Sequence, residues 1–141
     1  MDINIDIPDI EEQRKIVFAD NVEKSCAALR KNLNAPHFPP APGIDVKAYG
    51  TRHLLTEDQG WEPPAPELVY ALFEQFKNTF PEYNSDKKLA TLLGLQTSGD
   101  RRVRSFKSGE QSVPYGVWRR FLVLTGRVNQ EIIPVMGFFN D

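Results

Sequence analysis

The sequence predicts an all-α protein: a small helical bundle preceded by a long N-terminal helix and an extended proline-rich connection. Apolar residues recur at three- and four-residue intervals in several separate stretches, which is typical of amphipathic helices. Glycine and proline stand where these stretches end and begin. Six prolines between residues 34 and 65 exclude a regular helix from that part of the chain.

The first helix is predicted to follow Asp9 as N-cap and to run to about Leu33. Glu11 and Glu12 would lie in its first turn, where the helix dipole favours acidic side chains. An edge strand or a flexible arm is predicted before it, over Met1 to Pro8. One apolar seam follows the helix, made of Phe18, Val22, Cys26, Leu29 and Leu33. This seam either packs on the protein's own core or forms a dimer interface.

The connection over residues 34–65 is long for a compact domain. We expect an ordered segment that wraps the helical core and is held by its aromatic residues; the alternative is a hinge between the first helix and the rest. Ile44, Val46 and Tyr49 are expected in a short strand or a docked loop. The side chains expected to pack on the core are Leu54, Leu55 and Trp61.

Three more helices are predicted on either side of a central basic stretch. One begins at Pro66, since proline is tolerated in a first turn, and its apolar face comprises Leu68, Val69, Leu72, Phe73, Phe76 and Phe80. A second spans Tyr115 to Thr125 with core candidates Val117, Phe121, Leu122 and Leu124, and Trp118 as either core or exposed platform. A third is expected over residues 130–139. Its apolar side chains need cover, either from the core or between subunits.

The stretch from Asp86 to Arg127 is the most informative part of the chain. Its first helix carries a leucine stripe and ends at Gly94, which supplies a left-handed residue. A polar turn follows, with Thr97 or Ser98 as N-cap and an approximate capping box between Thr97 and Asp100. The next helix is predicted from about Gly99 to Ser108, and only Val103 and Phe106 would face the core.

The opposite face of this predicted helix over residues 99–108 is cationic and polar. It carries Arg101, Arg104, Ser105 and Ser108, with Arg102 and Lys107 on its flanks. A solvated basic surface is one interpretation. The other is a recognition helix in the major groove of DNA, where arginine reads guanine O6 and N7 while serine and lysine contact bases or phosphates.

In its order of residues, the stretch resembles the lambda-repressor/Cro-like (XRE-type) helix-turn-helix family. The shared positions are Leu89-Ala90, Gly94-Leu95, Val103, Phe106, Gly109, Pro114, Phe121, Leu124 and Gly126. The interval between Gly94 and Val103 is about three residues longer than is usual in that family, and Lys107 stands where the family often has glutamate. The resemblance covers roughly residues 66–133. It implies a lambda-repressor-like bundle that binds double-stranded DNA as a homodimer on two half-sites of a palindromic operator.

The chain is therefore predicted to be a transcriptional regulator with an N-terminal region over residues 1–64 and a DNA-binding module over residues 65–141. The N-terminal region would serve in dimerisation or in covering the core. Arg101, Arg104 and Ser105 are the predicted base-reading residues. The remaining predicted DNA contacts are Lys87, Lys88, Thr97, Ser98, Arg102, Lys107, Ser108, and Arg119 or Arg120.

Charge is distributed unevenly along the chain, and this supports the same interpretation. Residues 1–85 have a net charge of −6, whereas residues 86–127 have a net charge of +6. Phosphate contact is local, because charges are screened over about 8 Å at physiological ionic strength. The basic stretch is therefore a better guide to nucleic-acid binding than the overall charge of −2.

Other function classes are disfavoured by the sequence. No cysteine–histidine cluster has zinc spacing, and there is no phosphate-binding glycine loop or common hydrolase motif, so neither an enzyme nor a metal or other cofactor is expected. A single cysteine, Cys26, predicts a reducing, cytoplasmic setting. No apolar run is long enough to cross a bilayer, and the acidic N-terminus differs from a signal peptide.

Two alternative functions are compatible with the sequence. The chain could be a protein-interaction adaptor, an antitoxin or an inhibitor that keeps a repressor-like fold and binds a partner through its acidic N-terminal half. It could also bind RNA or single-stranded nucleic acid, with Tyr115 and Trp118 as stacking platforms.

Overall fold

The computed structural model describes residues 7–141, and the regular elements in this range are all helical. Five α-helices occur: α1 (Ile10–Asn32), α2 (Pro66–Thr79), α3 (Asp86–Leu92), α4 (Gly99–Ser108) and α5 (Tyr115–Leu124). Four short 3-10 turns lie at Val46–Tyr49, Arg52–Leu54, Glu57–Gln59 and Pro81–Tyr83. The prediction of an all-α protein is therefore confirmed. The arm predicted over residues 1–8 lies almost entirely outside the described residues.

The chain divides into two compact units, residues 1–39 and residues 40–141. In the first unit, the Asp9 carboxylate accepts a hydrogen bond from the backbone N–H of Glu12 at 2.8 Å and so caps α1 as predicted. None of the residues of α1 is buried. The seam residues Val22, Leu29 and Leu33 are 42%, 37% and 83% exposed and Cys26 is half-buried, so the seam is not covered by a core in this unit.

The second unit holds the hydrophobic core. Trp118, Phe73 and Phe121 are its largest fully buried side chains, and the ring centroids of Phe73 and Phe121 lie 4.9 Å apart in an edge-to-face arrangement. Each of the four helices α2 to α5 contributes buried apolar residues to this cluster. The predicted apolar face of α2 is fully buried at its first five positions, and Phe80 is partly buried.

Residues 40–64 belong to this second unit and wrap its core. His53 is buried, and its Nδ1 accepts a hydrogen bond from Trp118 Nε1 at 3.2 Å. Trp61 Nε1 donates to the His53 carbonyl oxygen at 3.1 Å, while Leu54 and Ile44 pack partly buried against the core. An ordered wrap is thus observed for residues 40–64, whereas residues 34–39 of the predicted connection belong to the first unit. The division between units follows residue 39, and the predicted domain boundary followed residue 64. Val46–Tyr49 forms a 3-10 turn and not the short strand that was one expectation.

The helix predicted over residues 130–139 does not form, and this expectation was wrong. Residues 129–141 carry no regular secondary structure, and their large apolar side chains are exposed. Pro134 lacks a backbone N–H and, with Gly137 and three β-branched residues nearby, makes a ten-residue helix unfavourable. Leu124, expected in the core, is 43% exposed because it lies at the last position of α5.

Among the described residues, no helix combines the length and the apolar character that crossing a membrane requires.

Candidate nucleic-acid interface

Helices α3 and α4 pack closely where α4 begins. Gly99 is buried, and a Cβ atom added to it would lie 2.7 Å from the Cβ of Ala90. Such a separation is too short for two carbon atoms, so only glycine allows this approach. The two helices are thereby held together at Ala90 and Gly99.

The turn between these helices is anchored at one position and exposed elsewhere. Leu95 is 5% exposed, and its backbone N–H donates to the carbonyl oxygen of Ala90 at 2.8 Å. Gly94 has a φ of 82°, as its predicted role in ending α3 requires. Thr97 and Ser98 point into solvent. The extended turn thus presents polar side chains beside the start of α4.

The N-terminus of α4 differs from the prediction in one respect. Ser98 occupies the N-cap position, but its backbone is left-handed, with a φ of 52°, and its side chain makes no capping hydrogen bond. The capping box expected between Thr97 and Asp100 is not formed. The reason is geometric, since an N-cap side chain reaches the N2 or N3 amide from an extended backbone.

Helix α4 is amphipathic in the sense that the sequence predicted. Val103 and Phe106 are 0% and 2% exposed and anchor it to the core. Arg101, Arg104 and Ser108 are exposed, while Arg102, Ser105 and Lys107 are intermediate. The structure therefore brings Arg101, Arg104, Ser105 and Ser108 to one accessible face of a short, well-anchored helix.

The three arginines of α4 have different surroundings. Arg104 NH1 lies 3.4 Å from Asp100 Oδ2, one helical turn earlier. The guanidinium of Arg102 lies 6.0 Å from the centroid of the Phe106 ring, at the outer limit of a cation–π contact. Arg101 is exposed and takes part in none of the ion pairs found among residues 7–141. Arg101 and Arg104, the two predicted base-reading cations, are thus the most exposed cations of α4.

Lys107 is held inside the protein, in a cluster of four charged residues that joins α2, α3 and α4. Its Nζ lies 2.9 Å from both Asp86 carboxylate oxygens and 3.0 Å from Glu74 Oε1. Lys77 Nζ lies 2.8 Å from each of the same two carboxylates. The Lys107 side chain is only 11% exposed. The Lys107 ammonium, predicted to contact the DNA backbone, is therefore paired within the protein.

The pKa values within this four-residue cluster reflect the mutual pairing. Burial alone would raise the pKa of Asp86 and of Glu74, but hydrogen bonds from Lys77 and Lys107 outweigh it and hold both pKa values below their ordinary range. Burial would likewise lower the pKa of Lys77, yet hydrogen bonds to Asp86 and Glu74 raise it. All three groups are thus stabilised in their charged forms.

The predicted backbone contacts outside α4 fall into two groups. Lys87 and Lys88 are exposed on α3, and Lys88 Nζ contacts Asn84 Oδ1 at 3.1 Å. Arg119 NH1 donates to the carbonyl oxygen of Leu54 at 2.9 Å, and Arg120 Nε donates to the carbonyl oxygen of Leu92 at 2.8 Å. Both arginines of α5 therefore bind the protein's own backbone, with Arg119 half-buried and Arg120 exposed, whereas the side chains of Lys87 and Lys88 make no hydrogen bond to the backbone of the described residues.

Trp118 and Tyr115 are poorly placed to stack on bases. Trp118 is 0% exposed in the core. Tyr115 is half-buried, and its ring packs edge-to-face on Trp61 with centroids 5.2 Å apart. The expectation that Trp118 is either core or platform is settled in favour of the core.

Two side-chain contacts in or near this region were not predicted from the sequence. Asp100 pairs with Arg104, and the i,i+4 spacing of an acid and a base on one helix could have indicated it. Arg127 NH2 donates to Gln75 Oε1 at 3.1 Å, and burial lowers the pKa of its guanidinium. No local pattern indicates that contact, because 52 positions separate the two residues.

Among the described residues, no group of three or more histidine, cysteine, aspartate or glutamate side chains is arranged to hold a metal ion. Comparison of the chain with protein-family models, with curated proteins and with solved structures finds no match.

Proposed function

We propose that this chain is a sequence-specific double-stranded DNA-binding protein in which α3 and α4 form a helix-turn-helix of the lambda-repressor type. In this proposal α4 enters the major groove, and the protein regulates transcription as a dimer on a palindromic operator. The observation that carries it is the exposed arginine face of α4, held rigidly by Val103 and Phe106 against the core.

The roles proposed for individual residues follow their accessibility. Arg101, Arg104 and Ser105 would contact base edges, because they share the outer face of α4. Lys87 and Lys88 on α3, with Thr97 and Ser98 in the turn and Ser108 at the end of α4, would contact phosphates. Arg102, Arg119 and Arg120 would contribute mainly through the charge they add to this surface, since each has a contact within the protein.

The dimer belongs to the proposal and is supported by α1. Val22 and Leu29 lie on one stripe of this helix, Leu33 follows at its C-cap, and all three are exposed. Burying such a stripe against a second copy would remove apolar surface from water, which favours association.

Selection from a pool of random duplexes tests the function. The wild type should recover a palindromic motif, and Arg104→Ala should weaken binding to it by roughly 5- to 150-fold, the range for loss of one bidentate base contact. Arg52→Ala is the matched control, because Arg52 is an exposed cation of the same unit that pairs with Glu62. Affinity should also fall steeply between low and high salt. Weak, motif-free binding that Arg104→Ala leaves unchanged would contradict the proposal.

A protein-interaction module is the second candidate, and the exposed apolar residues favour it. Ile133, Met136 and Phe139 in the C-terminal segment are 81%, 97% and 87% exposed. Contiguous exposed apolar surface often marks a protein-binding site. An adaptor would show no duplex binding even at low salt, whereas a partner protein would co-purify with it.

A further inference from the structure

We propose that Asp100 is a positioning residue that orients Arg104 to read one guanine in each half-site of the duplex. This inference rests on the proposed DNA-binding function and goes further by naming a base and the residue pair that selects it. The two side chains lie one turn apart on the exposed face of α4, with Asp100 Oδ2 3.4 Å from Arg104 NH1.

The Asp100–Arg104 ion pair leaves one hydrogen-bonding edge of the Arg104 guanidinium available to contact guanine. Arginine carries five N–H donors in a planar fork, whereas guanine presents two acceptors, O6 and N7, in the major groove. Because the carboxylate of Asp100 lies at NH1, the edge formed by Nε and NH2 remains available for both acceptors. The Arg104 side chain is 60% exposed, so this edge is accessible to a ligand.

The other cations of α4 lack this arrangement. Lys107 is enclosed by Asp86 and Glu74, and Arg102 lies against the Phe106 ring. Among the ion pairs of the described residues, the Asp100–Arg104 pair is the one that directs a cation on the outer face of α4. We therefore assign the selectivity for guanine to Arg104.

The Asp100–Arg104 ion pair is expected to contribute little to the stability of the fold. Asp100 and Arg104 side chains are 46% and 60% exposed, and exposed ion pairs contribute little to stability. A carboxylate on a DNA-facing surface also repels phosphate and so weakens binding to any sequence. Asp100 is therefore expected to lower affinity for random duplex while it raises discrimination for guanine.

The experiment measures the affinity of wild type, Asp100→Asn and Asp100→Glu for four duplexes that carry the selected motif. The duplexes differ at one position only, the guanine that Arg104→Ala no longer selects. A random-sequence duplex is measured in parallel. Asp100→Asn should reduce discrimination between guanine and the other bases by about fivefold or more, within the range set by a bidentate contact. It should also bind the random duplex more tightly, and Asp100→Glu should restore part of the discrimination.

Glu82→Gln is the charge-matched control, because Glu82 is an exposed acid of the same unit that lies outside α4. It should leave discrimination at the guanine unchanged. Circular dichroism verifies that each variant keeps its helices. If Asp100→Asn changes affinity for all four duplexes by the same factor, Asp100 acts through charge alone, and the inference is overturned while DNA binding stands. If the wild type binds no duplex at low salt, the proposed function fails and the inference fails with it.

Discussion

Gly99 illustrates how a single missing side chain positions α4. A Cβ atom at this position would meet the Cβ of Ala90 at 2.7 Å, and neither atom can rotate away. We expect Gly99→Ala to lower the free energy of unfolding by about 1–3 kcal/mol through overpacking. Urea unfolding measures this change.

Gly116 in α5 is the matched control, since a Cβ atom there meets nothing within 4 Å. Gly116→Ala should be neutral or stabilise the protein by up to about 1 kcal/mol, because alanine favours a helix. Equal effects of the two substitutions would contradict the close approach of α3 and α4.

His53 is expected to make the stability of the protein depend on pH. Burial, and to a lesser extent the nearby charge of Arg127, lowers the pKa of His53 below 6.5. Its Nδ1 must also be unprotonated to accept the hydrogen bond from Trp118. The folded state therefore favours neutral His53, and the stability this confers is complete above pH 6.5 and is lost as the pH falls below it.

The melting temperature should therefore fall between pH 7.5 and pH 5.5, and His53→Gln should reduce this dependence. Glutamine retains an oxygen that can accept the Trp118 N–H but does not titrate. The exposed His37 is unchanged in both proteins and serves as an internal control. An identical pH dependence of the two proteins would show that His53 does not cause it.

The cluster of Glu74, Lys77, Asp86 and Lys107 joins three helices, α2, α3 and α4. Lys107→Met should lower the free energy of unfolding by about 2 kcal/mol, since it leaves two partly buried carboxylates with one lysine. Lys24→Met is the control. Its ion pair with Asp20 is 74% and 59% exposed, so the change should stay below about 0.5 kcal/mol.

The same four charges predict a second, separate pH window. The pKa values of Asp86 and Glu74 are lowered in the folded protein from their ordinary values of 3.8 and 4.5. Stability from these carboxylates is therefore complete above about pH 4.5 and is lost as the pH falls through their folded-state pKa values. Acid unfolding followed by circular dichroism should show this loss below the range in which His53 titrates. Lys107→Met should diminish it.

For helix α4, the periodicity of the sequence predicted the bounds and the buried residues but not the position of Lys107. Its bounds, Gly99–Ser108, and its buried pair, Val103 and Phe106, follow from helical periodicity. The same periodicity placed Lys107 on the flank of the helix but not inside the protein. Glu74 and Asp86, which enclose Lys107, lie 33 and 21 positions away, so only the packing of α2 and α3 determines where its ammonium lies.

The two units of the chain make a prediction for the whole molecule. Within residues 7–141, every buried residue of the hydrophobic core lies between Ala41 and Leu122, and none of the residues of α1 is buried. A fragment of residues 40–141 should therefore unfold cooperatively, with a midpoint within a few degrees of the full chain measured at a low, monomeric concentration. Differential scanning calorimetry measures this midpoint. A fragment without a cooperative transition would show that α1 is needed for the second unit to fold.

Several features followed from the sequence alone because they depend on neighbours within one or two turns. These features are the all-helical class, the Asp9 cap, the termini of α1 and α4 and the amphipathic character of α4. The prediction of a helix over residues 130–139 was wrong for an equally local reason. Pro134 and the low helix propensity of the residues around it outweighed the apolar content of this segment.

Tertiary structure alone decided which cations are available and where the wrap of residues 40–64 docks. Arg119, Arg120 and Lys107 carry the same charge as Arg101 and Arg104, but they bind groups that lie 21 to 65 positions away in the sequence. Lys107 pairs with the partly buried carboxylates of Asp86 and Glu74, because burying a charge without a partner is costly. Arg101 and Arg104 on α4 and Lys87 and Lys88 on α3 are exposed, and these are the cations that we propose to contact DNA.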